Sequence, residues 1–257
     1  MRIKFTILGC GSSLGVPRPD GSFGKCNPRE KLNYRTRCSA FITTKYSNTI
    51  IDTSPDLRTQ LINNKIKNID RVLYSHFHAD QTHGINDLRI FYLKNKKKIP
   101  IYCDSSTKRY LLKNFSYCFK GNHSYPAILE INLLKKNIVF NEKQTKLNVK
   151  SIKVRHGKVN CNAFIINRKC AYLSDASMIF PKDYKYFKNL KYFVIDCLRY
   201  DEHPSHYNLD QVLDLIKKLK PKKTILTNLH ADLDYRKLKK ILPKNVSPAY
   251  DGMSFSL

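Results

Sequence analysis

"SHFHADQTHG", residues 75–84, places His76, His78, Asp80 and His83 within one short stretch of chain. Imidazoles and carboxylates are donors that a divalent transition metal takes at about 2.0–2.2 Å. A cluster this dense would be poorly satisfied without a cation. His76 and His78 are two apart, so on extended chain they point to the same side. Asp80 follows where the chain is expected to turn into a helix starting near Gly84. A lone histidine would be read as a satisfied core or surface residue, but this spacing points to a metal. The fold must then bring the missing ligands from elsewhere.

Candidates stand at the ends of apolar runs. Short β-branched and aromatic stretches recur: "RIKFTIL", "CSAFITT", "NTIID", "DRVLYS", "IPIYC", "LNVKSIKV", "NAFII", "CAYLSD", "KYFVID" and "KTILTN". Several run into a polar or metal-competent residue: Asp52, His76, His156, Asp175, Asp196 and His230. In α/β proteins, sites form where the carboxyl ends of strands meet loops. Distant strand ends could therefore converge on one cleft. Helical patterns begin at Ser54-Pro55 with proline at the first helical position, at Asp104, and at Asn208 before "LDQVLDLIKKLK". Strands are expected to dominate the first half, and strands and helices to alternate in the second. One α/β domain over residues 1–257, with two sheets and outer helices, fits this order.

Bulk composition narrows the class. The 257 residues are 42% hydrophobic, which suits a globular core rather than a disordered or fibrous chain. No apolar run approaches the roughly 20 residues of a membrane span. "MRIKFTILGCGSS" reads as a strand entering a glycine turn rather than as a signal peptide, so a cytoplasmic protein is expected. The eight cysteines form no CxxC pair and lie in apolar surroundings, the habit of reduced, buried thiols. A net charge of +27 favours acidic partners such as phosphates or nucleic acid. Lysines spread over solvated faces would give the same number without naming a ligand.

"HFHAD", followed by His156, "YLSD" and a late "LTNLH", resembles the HxHxDH hydrolases of the metallo-β-lactamase fold. "LGCGSSLGVPRP", "RTRCS", "IDTSPDLR", "HGINDLR", "DCLRYDEHPSH" and "PAYDGM" are similar to a narrower branch, the PhnP-type phosphoribosyl cyclic phosphodiesterases. RNase Z is a more distant likeness. The resemblance implies a four-layer αββα sandwich with one or two ions, Zn2+ or Mn2+, at one edge of the sheets. By position it assigns His76, His78 and His156 to a first metal, Asp175 to a bridge, and Asp80 to a second metal. Such metals lower the pKa of a bound water toward ~7.

Two departures fall on the second metal. Gln81 stands where the family has a histidine after the motif aspartate, and Asn228 stands where it has the histidine of "LTH". The site could be rebuilt from His83, His230 or both, the favoured reading using His230. Alternatively, only the first metal binds tightly, or the two amide oxygens act as weaker ligands. His83 could also cap the following helix or orient a ligand. A cysteine-held structural zinc, found in the PhnP type, is not expected, since the corresponding loop holds only Cys26.

The resulting expectation is a metal-dependent phosphodiesterase acting on a small cyclic or nucleotide-like phosphate. His206 is the expected general acid, with Asp80 as a further catalytic residue and His203 as a fallback donor. Asp52 is expected to accept hydrogen bonds from the loop carrying His76 and His78. "GCGSSLG" offers backbone N–H groups to a phosphate, and Arg35, Arg37 or Arg89 could clamp one. An RNase Z-like nuclease is the alternative enzyme, with residues 119–150, read as sheet and turns, the one stretch available for a substrate-gripping arm. A non-catalytic nucleic-acid-binding protein with a structural metal is the alternative of another class. Expected partners are a small phosphorylated substrate, nucleic acid as a possibility, no membrane, and a second copy of the chain by analogy with the relatives.

Overall fold

The computed structural model describes residues 3–121, 125–143 and 145–257. The chain lays β1 (Lys4–Gly9), β2 (Ser39–Thr43), β3 (Asn48–Ile51), β4 (Arg71–Leu73), β5 (Ile99–Cys103) and β6 (Leu129–Leu133) side by side in one sheet. A second sheet then takes β7 (Asn137–Glu142), β8 (Thr145–His156), β9 (Val159–Ile166), β10 (Cys170–Leu173), β11 (Tyr192–Asp196), β12 (Lys223–Thr227) and β13 (Val246–Pro248). Finally β14 (Ser254–Ser256) returns to the first sheet and pairs with β1.

Both sheets follow one rule. Each begins as an antiparallel meander, β1–β3 and β7–β10, and continues as parallel strands, β3–β6 and β10–β13. Parallel neighbours need a crossover, usually helical. The helices accordingly sit in the parallel halves. Between β3 and β6 lie α1 (Leu57–Asn63), α2 (Ala79–Thr82), α3 (Arg89–Asn95), α4 (Ser105–Asn114) and α5 (Ser116–Lys120). Between β11 and β13 lie α6 (Leu209–Leu219) and α7 (Tyr235–Ile241).

Strand alternation builds the four layers. Ala40 and Ile42 of β2 point to the apolar layer shared with Phe164, Tyr172 and Val194 of the second sheet. Phe41, between them, faces the other way, toward Leu57, Leu61 and Phe91 of the helices. On β11, Val194 faces the sheet partner while Phe193 and Ile195 meet Val212, Leu215 and Leu219 of α6. The result is helix, sheet, sheet, helix, the αββα sandwich that the resemblance implies.

The helix starts show local chemistry at work. Asn208 caps α6 with a reciprocal box: its side chain accepts from the Gln211 N–H at 2.9 Å, and the Gln211 amide oxygen accepts from the Asn208 N–H at 3.1 Å. Asp104 accepts from the Thr107 N–H at 2.9 Å and opens α4. At Ser54-Pro55 the reading shifts. There Ser54 Oγ accepts from the Asp56 N–H in a local turn, and α1 begins only at Leu57. A helix also starts earlier than Gly84, at Ala79, so Asp80 lies within α2. Residues 57–120 hold five helices, so strands do not dominate the first half. Most of these helices are too short to display a full apolar period.

All eight cysteines are free and buried. Among the described residues, no helix is long and apolar enough to cross a membrane. Apart from residues 122–124 and 144, which lie outside the described residues, the stretch 119–150 forms the end of α5, then β6, β7 and the start of β8.

Asp251 ties the C-terminal segment to the first sheet. It accepts from the Thr36 N–H and hydroxyl at 2.8 and 2.6 Å and from the Cys10 N–H at 3.1 Å. Asp251→Ala strands two backbone donors and is expected to lower stability by about 2–4 kcal/mol, read by urea unfolding. A loss below about 0.5 kcal/mol would mean that water replaces those bonds.

Candidate active site

The loop between β4 and α2 carries His76 and His78, and both sheets grip it. Asp52, at the end of β3, accepts from the Ser75 N–H at 2.7 Å and from the Ser75 hydroxyl at 2.8 Å. From the second sheet, the backbone and side-chain N–H groups of Asn162 both donate to the Ser75 carbonyl, at 3.0 and 2.8 Å. The glycine ending the motif is needed for close approach: a Cβ on Gly84 would lie 2.0 Å from the Ser54 carbonyl oxygen.

His76 and His78 turn to one side, as their spacing requires, with ring centroids 4.4 Å apart. His156, the last residue of β8, joins them at 5.2 and 5.0 Å. Ligand-competent atoms of all three lie within 4.8 Å of one another. Each ring is oriented by its other nitrogen or by its neighbour. Ser75 Oγ, which gives its proton to Asp52, lies 3.0 Å from His76 Nδ1 and can accept from it. His76 Nε2 is then buried with no hydrogen-bond partner. His156 Nδ1 donates to the Ser205 carbonyl at 2.7 Å, leaving Nε2 free, and that atom lies 3.2 Å from His78 Nδ1.

Burial, followed by repulsion among the three rings, holds the pKa of His76 well below the usual imidazole range. Burial and then His156 lower His78, and burial and then the nearby His206 lower His156. These are neutral rings presenting lone pairs to one point. Two nitrogens on one tetrahedral zinc would stand about 3.3 Å apart, given Zn–N near 2.05 Å. The 3.2 Å contact and the orphaned His76 nitrogen therefore fit a divalent ion.

A second group, His156, Asp175 and His206, lies alongside. Asp175 follows β10 and Asp196 ends β11. His206 sits in the loop before α6, and its Nδ1 donates to Asp196 Oδ2 at 2.7 Å and lies 3.9 Å from Asp175 Oδ1. Burial opposes charging of His206, but Asp196, then Asp175 and Asp80, outweigh it and raise the pKa to about 9. Burial, with Asp80 and Asp196 nearby, pushes the Asp175 carboxyl up. Gln81 donates its amide N–H to Asp175 Oδ2 at 3.0 Å, and Asn228 donates to Asp196 Oδ1 at 3.0 Å.

These side chains open on a cleft of about 350 Å3 lined by His78, Asp80, His156, Asp175, His203, His206, Asn228 and His230. Ser12, Ser13 and Leu14 of "GCGSSLG" form its wall. That loop is held there by the Leu229 N–H, which donates to the Cys10 carbonyl at 2.8 Å.

Other expected residues are placed differently. His230 lines the cleft but joins neither cluster. Its Nδ1 meets Asp232 at 2.9 Å and its Nε2 meets Arg18 at 2.8 Å. Asp80 lines the cleft without belonging to either cluster. His83 caps the C-terminus of α2, is exposed and meets the Tyr110 hydroxyl at 2.9 Å. The three arginines do not clamp a ligand here. Arg35 is buried against Asn33 and the Leu233 carbonyl, Arg37 forks onto Asp56, and Arg89 lies over the Tyr125 ring. Sequence reasoning named Asp196 as a strand-end candidate without assigning it a partner, and missed the Ser205 carbonyl. A carboxylate ending the run "FVID" was the available signal for the first, while a backbone oxygen leaves none.

The geometry has its counterpart among known proteins. Residues 47–228 match the beta-lactamase superfamily domain model, most of the chain. The chain therefore belongs to the beta-lactamase superfamily and has the metallo-β-lactamase fold. Within that class it is similar to a solved diphosphatase of the PhnP family, with a TM-score of 0.91 and 28% identity over 100% of this chain and 98% of that one. Human tRNase Z, short form, shares the fold at a TM-score of 0.70 and 17% identity, covering 98% of each chain. A Porphyromonas gingivalis protein named as an octanoyltransferase is 30% identical over 98% of this chain and 51% of its own length. The chain thus spans about half the length of that curated relative.

Because Asp52 orients Ser75, and Ser75 the His76 ring, Asp52→Asn is expected to weaken zinc affinity about 10–100-fold. Competition against a chromophoric chelator measures this, with circular dichroism as the control for folding. Unchanged affinity in a folded variant would show that the Asp52–Ser75 pair does not govern the ligand.

Proposed function

We propose that this chain is a metal-dependent phosphodiesterase acting on a small cyclic or nucleotide-like phosphate. The observation that carries the reading is the pairing, in one cleft, of a neutral three-histidine cradle with an aspartate-held histidine. His76, His78 and His156 would hold the ion. A divalent ion so held supplies an activated water at neutral pH and charge neutralisation on phosphorus.

The chain's own groups do the rest. Asp196 fixes the His206 ring through Nδ1 and favours its protonated form, leaving Nε2 to give a proton to the departing ester oxygen. Asp175 and Asp80 add negative charge around that imidazolium and so also favour it. His203, whose Nδ1 accepts from the Ser205 N–H at 3.2 Å, helps hold the loop that carries His206. Ser12 and Ser13 line the cleft, where their N–H and hydroxyl groups could meet phosphate oxygens. The cleft's volume suits a small ligand rather than a long strand. The 119–150 stretch is largely sheet strand, which favours this reading over an RNase Z-like one.

Leaving groups separate a proton donor from a structural histidine. An alkoxide leaving group needs a proton, whereas p-nitrophenolate departs almost unaided. His206→Ala is expected to slow hydrolysis of a nucleoside 2′,3′-cyclic phosphate by about 10²–10⁴-fold, and of bis(p-nitrophenyl) phosphate far less. Equal losses on both would remove His206 as the acid. Turnover that survives exhaustive chelation would sink the metal-dependent reading altogether.

A further inference from the structure

We infer that the cleft takes one divalent ion, at His76, His78 and His156, and that the His156–Asp175–His206 group beside it, tied by hydrogen bonds to Ser205, Gln81 and Asp196, is not a second metal site. The inference rests on the functional reading above and sharpens it. The two clusters share His156, which has one nitrogen to give. Its Nδ1 is spent on the Ser205 carbonyl, and its Nε2 lies 3.2 Å from His78 Nδ1 within the first cluster. The second cluster must then make do without it.

What remains is filled by donors. His206 Nδ1 donates its proton to Asp196 Oδ2, so that nitrogen has no lone pair for a metal, and Nε2 is the proton donor of the reading above. Both oxygens of Asp196 are engaged: Oδ2 also accepts from the Ala176 N–H at 2.8 Å, and Oδ1 accepts from Asn228. The Asn228 amide nitrogen stands 3.0 Å from His206 Nδ1 as well, presenting N–H rather than oxygen to this side. Gln81 does the same from α2, covering Asp175 Oδ2. Reversing that amide would set its oxygen against a carboxylate oxygen, like against like. Two neutral donors thus cover carboxylate oxygens that a second cation would compete for.

The oxygens left over are Asp175 Oδ1, the partly exposed Asp80 carboxylate and the Gln81 amide oxygen, which is buried without a donor. Such a set would suit a hard ion better than zinc, so the test uses both metals. Purified protein, loaded separately with zinc and with manganese and freed of excess by dialysis, is assayed by elemental analysis. About one ion per chain is expected with either metal, and a manganese resonance spectrum free of exchange coupling between neighbouring ions. About two tightly held ions per chain, or a coupled manganese pair, overturns the inference while leaving a phosphodiesterase intact. No bound ion overturns both proposals.

A gain-of-function variant tests the cause. Gln81→His with Asn228→His removes both donor amides and supplies two imidazoles, so a second equivalent is expected to bind. A folded double variant that still holds a single ion would show that these amides do not close the site. Should the double variant fail to fold, the wild-type count decides alone.

Discussion

The apolar layer between the two sheets determines where every functional group can stand. Phe5, Ile7 and Ile42 on one side meet Phe164, Tyr172 and Val194 on the other, face to face. Because each sheet is parallel in its later half, successive strands there end at the same edge. Asp52, His76, Asp175, Asp196 and Asn228 all follow or finish such strands. Packing the faces brings the two edges together, and the Ser75 loop is then held from both sheets at once, by Asp52 and Asn162. Two of these strand-end residues, Asp52 and Asn228, adopt left-handed backbone, φ 62° and 60°. Aspartate and asparagine tolerate that region better than most residues, and strain of this kind collects at functional sites.

How much of this was legible beforehand follows from burial. The ten apolar runs quoted from the sequence correspond to β1–β5 and β8–β12, the inner strands of the two sheets. The four strands without a quoted run, β6, β7, β13 and β14, are the four sheet edges. An inner strand is covered on both faces and reads as a continuous apolar run. An edge strand is short or half-exposed, as in the alternating exposure of β7, and its sequence shows little. Helices in the first half were obscured for a related reason, since α2 has four residues and no room for a period.

The site was legible where residue type and spacing together restrict the chemistry, and not where a side chain's partner decides. His76, His78 and His156 converge because two share a loop and the third ends a strand beside it. His230 has the right type at a strand end, yet Asp232 and Arg18 occupy its two nitrogens. No spacing rule could have seen Arg18, far away in sequence. The same holds for Arg35, Arg37 and Arg89: each is an arginine able to bind phosphate, and each is already engaged within the fold.

Charge shows most clearly how the site is meant to work. The chain carries 47 lysines and arginines, but the residues lining the cleft include a single one of them, Arg199, alongside Asp80 and Asp175. Its guanidinium is turned to the carbonyls of Asp201 and Glu202. The +27 excess therefore lies mostly outside the site, where it adds a long-range attraction for anions that salt screens within about 10 Å. Inside, a phosphate would meet aspartates unless other positive charge offset them. Two sources are built in: the three neutral imidazoles that accept a cation, and the His206 imidazolium that Asp196 stabilises. Attraction at the surface and chemistry at the centre thus come from different residues. Lysine content can vary across the exterior without touching the cleft, whereas losing the Asp196–His206 pair would remove one of the two sources of positive charge that the proposed phosphate substrate would meet.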